Sequence, residues 1–370
     1  MSSIETLVIA FVLAGAGIYA AASLALWAGA LRRTPSIEGH PQTLVSVIIP
    51  ARNEAANIGP CLAALAAQTY PRERWEVIVV DDRSEDGTGD VVRGLAATMS
   101  LVVRVIRIDD VPPGWSPKKY ALTRAIAEST GEVILTTDAD CRPEPGWIAG
   151  MVGALGSAHL VAGYSPYDRR GNLAGRLLAL ETLSQGFLAM SGIGLGLPIT
   201  CTGRSFGYRR QVFEELGGFG PAHAMLSGDD HLFLQRAVAR GFKAVFCDAA
   251  GSKVWTDPPA TWGAFVQQRI RMFSGARRLS LGVALLGVAV YGWLLALLVG
   301  MLALNPVAWA AFLGKVLLDG VSLSIAAGRL GEWWLLRVYP LASVLYLPYF
   351  LTFAALGTFG SYRWKGMRGG

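Results

Sequence analysis

Charge is scarce in this 370-residue chain: Asp, Glu, Lys and Arg make up 16% of it, against 52% hydrophobic residues. Soluble globular domains carry roughly 25% charged residues, so the deficit points to membrane segments. Cysteine is scarce too. The four present, Cys61, Cys141, Cys201 and Cys247, are widely spaced and form no C-x-x-C pair. That argues against a zinc site or a disulfide framework and reads as reduced cytoplasmic thiols. No Lys/Arg run interleaved with aromatics occurs, so the net charge of +6 does not point to nucleic acid. It fits loops near anionic lipid and basic side chains near a diphosphate. There is no internal repeat. The one glycine cluster of dinucleotide-binding flavour, Gly192-x-Gly194-x-Gly196, lacks a preceding strand, which sets aside a dinucleotide oxidoreductase.

What is present in excess is apolar sequence, concentrated at the two ends. Residues 7–30 carry no charge over a length that crosses a bilayer as a helix. Arg32 and Arg33 follow, and only Glu5 precedes, so the positive-inside rule places residue 33 onward in the cytoplasm. Ala28-Gly29-Ala30 resembles a signal cleavage site, but the run is long and a basic n-region is missing. Three further apolar segments cover residues 279–304, 307–327 and 333–359, the second holding Lys315 and Asp319, the third Pro340 and Pro348. Lys315 and Asp319 are four apart and can pair on one helix face. One crossing before the middle and three after it would leave the basic tail (Arg363, Lys365, Arg368) outside, against the positive-inside rule. Either the prolines make a re-entrant hairpin or one segment lies in the interface.

The middle alternates strand and helix. Residues 43–50 (TLVSVIIP) read as a buried strand, and 53–68 as a helix with Asn53 as a plausible N-cap. Strands follow at 75–80, 101–108 and 132–137, with helices at 89–98 and 118–130 between them. This spacing predicts an α/β fold with a mostly parallel sheet and helices on both faces, in which ligands bind at the carboxyl ends of strands. Three strands end in polar residues: Arg52-Asn53-Glu54, Asp81-Asp82 and Asp138-Ala139-Asp140. Beyond Gly163 the pattern loosens. Residues 177–190 are apolar with Glu181 and Gln185 embedded, and 191–198 are glycine-rich. Residues 201–209 and 243–247 read as strands, 228–241 as a helix, and 261–278 as an amphipathic basic helix.

The chemistry-bearing candidates are mostly acidic. Asp138 and Asp140 flank one residue at a strand end; their hard oxygens suit Mg2+ or Mn2+ shared with substrate phosphates, where a solvated loop is the bland reading. Asp81-Asp82 can accept from a nucleobase N–H, share the metal region, or simply cap a turn. Lys118 and Lys119 open a helix after Pro117, a place suited to phosphate as well as to solvent. Asp229 and Asp230 precede a helix, where either can act as a general base or as a cap. Gln268 and Arg271 share a helix face next to the membrane, so Arg271 can clamp a diphosphate or meet lipid headgroups.

Taken in order, Pro50-x-x-Asn53-Glu54, Asp81 to Thr88, Lys118 to Leu122, Asp138-Ala139-Asp140, Gly228-Asp229-Asp230 and Gln268 to Met272 resemble the membrane-bound family 2 glycosyltransferases, over residues 43–278. The likeness is nearest to their membrane-bound branch, which includes ceramide glucosyltransferases, hopanoid-associated transferases and cellulose and hyaluronan synthases. The resemblance implies a GT-A fold and a nucleotide-sugar donor, with Mg2+ or Mn2+. It implies that Pro50, Asn53, Glu54 and Asp82 (or Asp81) hold uridine and that Lys118 contacts the diphosphate. Asp138 and Asp140 would bind ribose, diphosphate and metal. Asp230 would be the base of an inverting displacement, with Asp229 adjacent. Thr202-Gly203 would lie near the acceptor, and Gln268 and Arg271 would match a Gln-x-x-Arg-Trp motif. Met272 stands where that motif has tryptophan; a thioether makes a poor stacking platform for a sugar, which favours a lipid acceptor.

The domain reading that follows is an anchor over 1–33, a cytoplasmic catalytic domain over 34–260, an interfacial helix over 261–278 and a membrane region over 279–370, in a multi-pass protein of the cell membrane. A processive polysaccharide synthase and a catalytically silent membrane scaffold are the competing readings. The complete acidic set argues against the scaffold, and three C-terminal segments are few for a polysaccharide channel.

Overall fold

The computed structural model describes residues 3–32, 42–99, 101–168, 172–274, 281–364 and 367–369. Most of the polar linker expected over 34–42, Arg33, the last turn of the basic helix (275–278) and Lys365 lie outside the described residues.

In chain order, helix α1 (Ser3–Leu31) leads to β1 (Val45–Ala51), α2 (Ile58–Ala66), β2 (Trp75–Asp82), α3 (Thr88–Thr98), β3 (Val103–Ile108), α4 (Pro117–Glu128) and β4 (Val133–Thr136). Then come β5 (Cys141–Pro143), α5 (Trp147–Leu155), β6 (Leu160–Ala162), α6 (Leu173–Leu195), β7 (Phe206–Arg209), α7 (Arg210–Glu215), α8 (His231–Ala239), β8 (Ala244–Phe246), β9 (Val254–Thr256) and α9 (Trp262–Phe273). The last elements are α10 (Leu281–Leu302), α11 (Pro306–Leu330), α12 (Tyr339–Phe359) and the hairpin β10 (Tyr362–Trp364) and β11 (Met367–Gly369).

The main sheet has the order β3-β2-β1-β4-β7-β6-β8. Its first four strands are parallel, as the βαβ spacing predicts, while β7 runs antiparallel to both β4 and β6. Central strands buried on both faces read as continuous apolar runs, and their alternation sorts the core. Ile48, Ile78 and Ile134 face α4 and α6, while Val47, Val77 and Leu135 face α2 and α5. In register Ala51 pairs with Asp81, so the polar loops after β1 and β2 leave the sheet side by side.

One expectation changes, and one stretch left unassigned is resolved. Asn53 does not cap α2, which starts five residues later behind Asn57. Asn53 instead adopts a left-handed conformation, φ 55°, its N–H donating to Ser84 Oγ and its Oδ1 accepting from the Glu85 amide. The apolar stretch 177–190 and most of the glycine-rich stretch that follows form one helix, α6, ending at Leu195. Its glycines serve close packing, because a Cβ on Gly194 would strike the carbonyl of Gly29 in α1. Small residues let two helix backbones approach this way.

Among the described residues, four helical segments, Glu5–Leu31, Leu285–Leu302, Pro306–Leu330 and Trp333–Phe359, are long and apolar enough to cross a membrane. Lys315 and Asp319 do pair along α11, Nζ to Oδ2 2.5 Å, and Tyr19 of α1 donates its hydroxyl to Asp319. The last segment starts on the α/β unit and ends on α9. Glu332, just before it, pairs with Lys253 beside β9. The chain then descends along α11 through a 3-10 turn, Trp333–Val338, and the Tyr339 hydroxyl donates to the Val316 carbonyl. It returns along α12 to α9, where Phe353 packs edge-on against Phe265 and Phe350 against Phe273, and β10 rests on α9.

Candidate functional site

Lys118 sits in the first turn of α4, where Pro117 at the first helical position fixes the backbone. Its Nζ lies 3.0 Å from Asp138 Oδ1, just past the end of β4, and 2.9 Å from Asp229 Oδ2, just before α8. Burial disfavours the ammonium, but Asp138 and Asp229 outweigh it and hold its pKa above the ordinary lysine value. The adjacent Asp230 accepts from the Gly203 amide at 2.7 Å through Oδ2, and from the His231 amide at 2.6 Å through Oδ1. His231 Nδ1 lies 2.9 Å from the same Oδ1. Burial would raise the Asp230 carboxyl; the His231 contacts and Lys118 reverse this and hold it well below the carboxylate range. The His231 imidazole is in turn pushed up by Asp230 against its own burial. Gly203 permits the convergence, since a Cβ there would sit 3.2 Å from Asp229 Oδ2 and 3.5 Å from Lys118 Nζ.

Lys119, the neighbour that the sequence pairs with Lys118, has a separate task. It is fully buried, and its Nζ donates to the carbonyls of Ala222, Met225 and Ser227 at 2.7, 2.9 and 2.8 Å. It shapes the loop that delivers Asp229 and Asp230.

One oxygen of Asp138, one of Asp140 and Cys141 Sγ lie within 4.8 Å of one another. Partial burial, then Asp138 and Glu54, hold the Asp140 carboxyl above its ordinary range, although the residue remains exposed at its surface. Burial and the two aspartates push the Cys141 thiol far up, so it stays protonated. What remains for a cation is a pair of carboxylates, and such hard oxygen donors fit Mg2+ or Mn2+ completed by phosphate oxygens and water.

The loops after β1 and β2 are laced together beside this cleft. The Glu54 amide donates to Thr88 Oγ1 at 2.8 Å and the Ala55 amide to Asp86 Oδ2 at 2.9 Å. Pro50 lies in β1 opposite Val80. Asp81 and Asp82 are buried: Asp81 accepts from Arg107 Nη1 at 2.6 Å and from the Ser84 amide, and Asp82 pairs with Arg83 Nε at 2.8 Å. These carboxylates form a separate polar floor, not part of the lysine cluster.

Sequence reasoning missed the link between the cleft and α9. Thr202 Oγ1 accepts from Arg204 Nε at 3.2 Å, the Arg204 guanidinium lies 5.6 Å from the centre of the Tyr167 ring, and the Tyr167 hydroxyl donates to Gln268 Oε1 at 3.2 Å. Arg271, one turn on, is half-buried. The neighbouring Arg269 is buried against Glu181 of α6 at 2.8 Å. Arg204 was visible in the sequence only as one basic residue among three in CTGRSFGYRR.

The sequence pattern of the glycosyl transferase family 2 matches residues 46–217, and that of the glycosyl transferase family group 2 matches residues 133–362, over half the chain. The chain belongs to the family 2 glycosyltransferases. Among curated relatives, this glycosyltransferase is 32% identical over 236 residues to YdaM of Bacillus subtilis (strain 168), described as a probable glycosyltransferase. The match takes in 62% of this chain and 54% of YdaM, so the chain spans about half the length of that relative. It is 30% identical over 241 residues to the glycosyltransferase AglE of Haloferax volcanii, with 62% and 72% covered. A shorter match, 31% over 113 residues, covers 30% of this chain and 32% of a dodecaprenyl-phosphate galacturonate synthase of Rhizobium johnstonii. This glycosyltransferase is therefore related to lipid-linked sugar transferases. The solved structure of the mannosyltransferase PcManGT from Pyrobaculum calidifontis, in complex with GDP-Man and Mn2+, superposes with a TM-score of 0.59 at 20% identity, covering 95% of this chain and 96% of that one. The shared fold is the GT-A type that the motif order implied.

Proposed function

We propose that this glycosyltransferase moves one sugar from a UDP-sugar to a lipid acceptor in the cell membrane, inverting the anomeric carbon, in the manner of the ceramide and hopanoid-associated transferases it resembles. The observation that carries the reading is Lys118 held between Asp138 and Asp229, which brings three distant chain segments to the carboxyl ends of the central strands.

In this reading Pro50, Asn53, Glu54 and Asp81 or Asp82 form the floor for uridine. Lys118 shifts from its aspartates toward the diphosphate and offsets its charge. Asp138 and Asp140 would hold Mg2+ or Mn2+, which supplies positive charge to the departing diphosphate. The acceptor oxygen attacks the anomeric carbon as the bond to the diphosphate oxygen breaks, and its proton passes to Asp230, with Asp229 beside it. Thr202 and Gly203 border the acceptor side. Gln268, through Tyr167 and Arg204, and Arg271 on the same helix close the cleft toward the membrane. The relative named for dodecaprenyl phosphate supports a lipid-borne acceptor.

The proposed placement has α1, α10 and α11 crossing the bilayer, the α/β unit in the cytoplasm and α9 in the interface. In this placement the last segment enters and returns on one side, a reading supported by its contacts at Glu332 with the α/β unit and at Phe353 with α9. That relieves the conflict with the positive-inside rule for the tail.

The deciding experiment incubates the purified chain in vesicles of host lipid with radiolabelled UDP-sugars, with and without EDTA. Label is expected in the organic phase, lost with EDTA and restored by Mn2+ or Mg2+. Label found only in long water-soluble glycan would overturn the lipid acceptor in favour of a processive synthase.

A further inference from the structure

The turn after α6 is apolar, exposed and short. Leu197 is 70% exposed and Ile199 46%, with Pro198 between them. Four residues further on, Gly203 donates its amide to Asp230. The turn is also fixed from the other side. Gln235 Nε2, on the helix that Asp230 opens, donates to the carbonyls of Pro198 and Ile199 at 3.2 Å each.

Its position relative to α1 is set by backbone contact. Gly194 and Gly29 touch, and Arg32, directly after α1, donates from Nη1 to the Gly194 carbonyl at 3.0 Å. Thus the turn lies level with the end of α1, where an apolar span meets Arg32. Two of its amides are satisfied from within: the Gly196 amide donates to the Ile193 carbonyl at 2.9 Å and the Leu197 amide to the Gly192 carbonyl at 2.8 Å. Pro198 has no N–H to satisfy. A segment that presents aliphatic side chains and has several of its polar backbone groups paired loses less on moving from bulk water to the headgroup region.

We infer that residues 196–199 are seated in the headgroup region of the bilayer and form the threshold across which a lipid acceptor reaches Asp230. The inference rests on the membrane reading above. It adds a specific path: from the lipid interface at Leu197 and Ile199, through residues 200–202, to the Gly203–Asp230 contact. The occupant is the bilayer itself, argued from the continuity of the turn with α1. A soluble protein partner would cover the same side chains but leave them remote from acyl chains.

The test reconstitutes the full chain carrying Leu197→Cys in phosphatidylcholine–phosphatidylglycerol vesicles and labels it with bimane. Ile199→Cys is the parallel variant, the unsubstituted chain gives the labelling background, and Val102→Cys, exposed beside the edge strand β3, serves as the aqueous control. Acyl-chain nitroxide lipids are expected to quench bimane at 197 and 199 several-fold more than at 102, with iodide showing the reverse order. Strong iodide quenching at 197 and 199 without lipid quenching would overturn the inference. Vesicle flotation separates this from failure of the parent reading: a chain that does not float fails as a membrane protein, whereas one that floats with a wet turn fails only here.

Discussion

Asp229 Oδ2 and Asp138 Oδ1 are joined through a single atom, Lys118 Nζ, at 2.9 and 3.0 Å. Two carboxylates drawn this close repel unless a cation stands between them. Lys118 therefore supports the cleft and, in the proposed reaction, is the charge released to the donor diphosphate. Lys118→Met is expected to cost roughly 3 kcal/mol of stability, the scale for stranding a partly buried charge pair. It should also lower transfer by about two orders of magnitude, the loss typical of one removed electrostatic donor. Thermal melting in detergent and radiolabel transfer measure the two effects. Wild-type turnover in a folded Lys118→Met protein would remove this role.

Asp230→Asn keeps the shape of the residue that accepts from Gly203 but removes the base. Transfer should fall by about 10²–10⁴-fold, with donor binding changed little in a fluorescence titration. Loss of donor binding as the main effect would mean that Asp230 shapes the donor pocket instead.

The Asp230–His231 pair makes stability depend on pH. The His231 pKa is raised above 6.5, so its contribution is complete below that value and is lost as pH climbs through the raised one. The Asp230 pKa is lowered from 3.8, so its contribution is present above that value and is lost as pH falls through the lowered one. The His231 side chain is 38% exposed, and solvent screening limits the pair to about 0.5–1 kcal/mol. His231→Leu should thus lower the melting temperature at pH 5.5 more than at pH 9. An equal drop at both would show that packing, rather than charge, is what His231 supplies.

If the last apolar segment enters and returns on one side, Phe359→Cys should react with a membrane-impermeant maleimide only in inverted vesicles. Leu304→Cys, at the turn between α10 and α11, should react only from the opposite side. Both positions are open, Phe359 at 87% and Leu304 at 79% exposure. Labelling of the two from the same face would restore a full crossing for α12.

Much of this was open to reading from residues alone. The parallel half of the sheet was legible because central strands need long β-branched runs and their crossover helices need apolar spacing, as in VSVIIPA and WEVIVVDD. The acidic candidates were legible because each stands where such a strand or a helix turn ends. The short strands β5, β6 and β9, three residues each, were not: three residues show no period, and only their partners define them. Nor could periodicity distinguish Lys118 from Lys119, adjacent residues of one type. Tertiary packing sends one ammonium to two carboxylates and the other to three carbonyls. The glycine-rich stretch after residue 190 carried no element assignment in one dimension, and most of it is helix packed closely on α1. So the sequence by itself determined the alternation, the apolar ends and the kinds of side chain available for the chemistry. Which of those side chains meet, and that the last apolar segment packs back on α9, was decided only by folding, because hydrogen bonds, ion pairs and packing contacts act over a few ångströms between residues far apart in the chain.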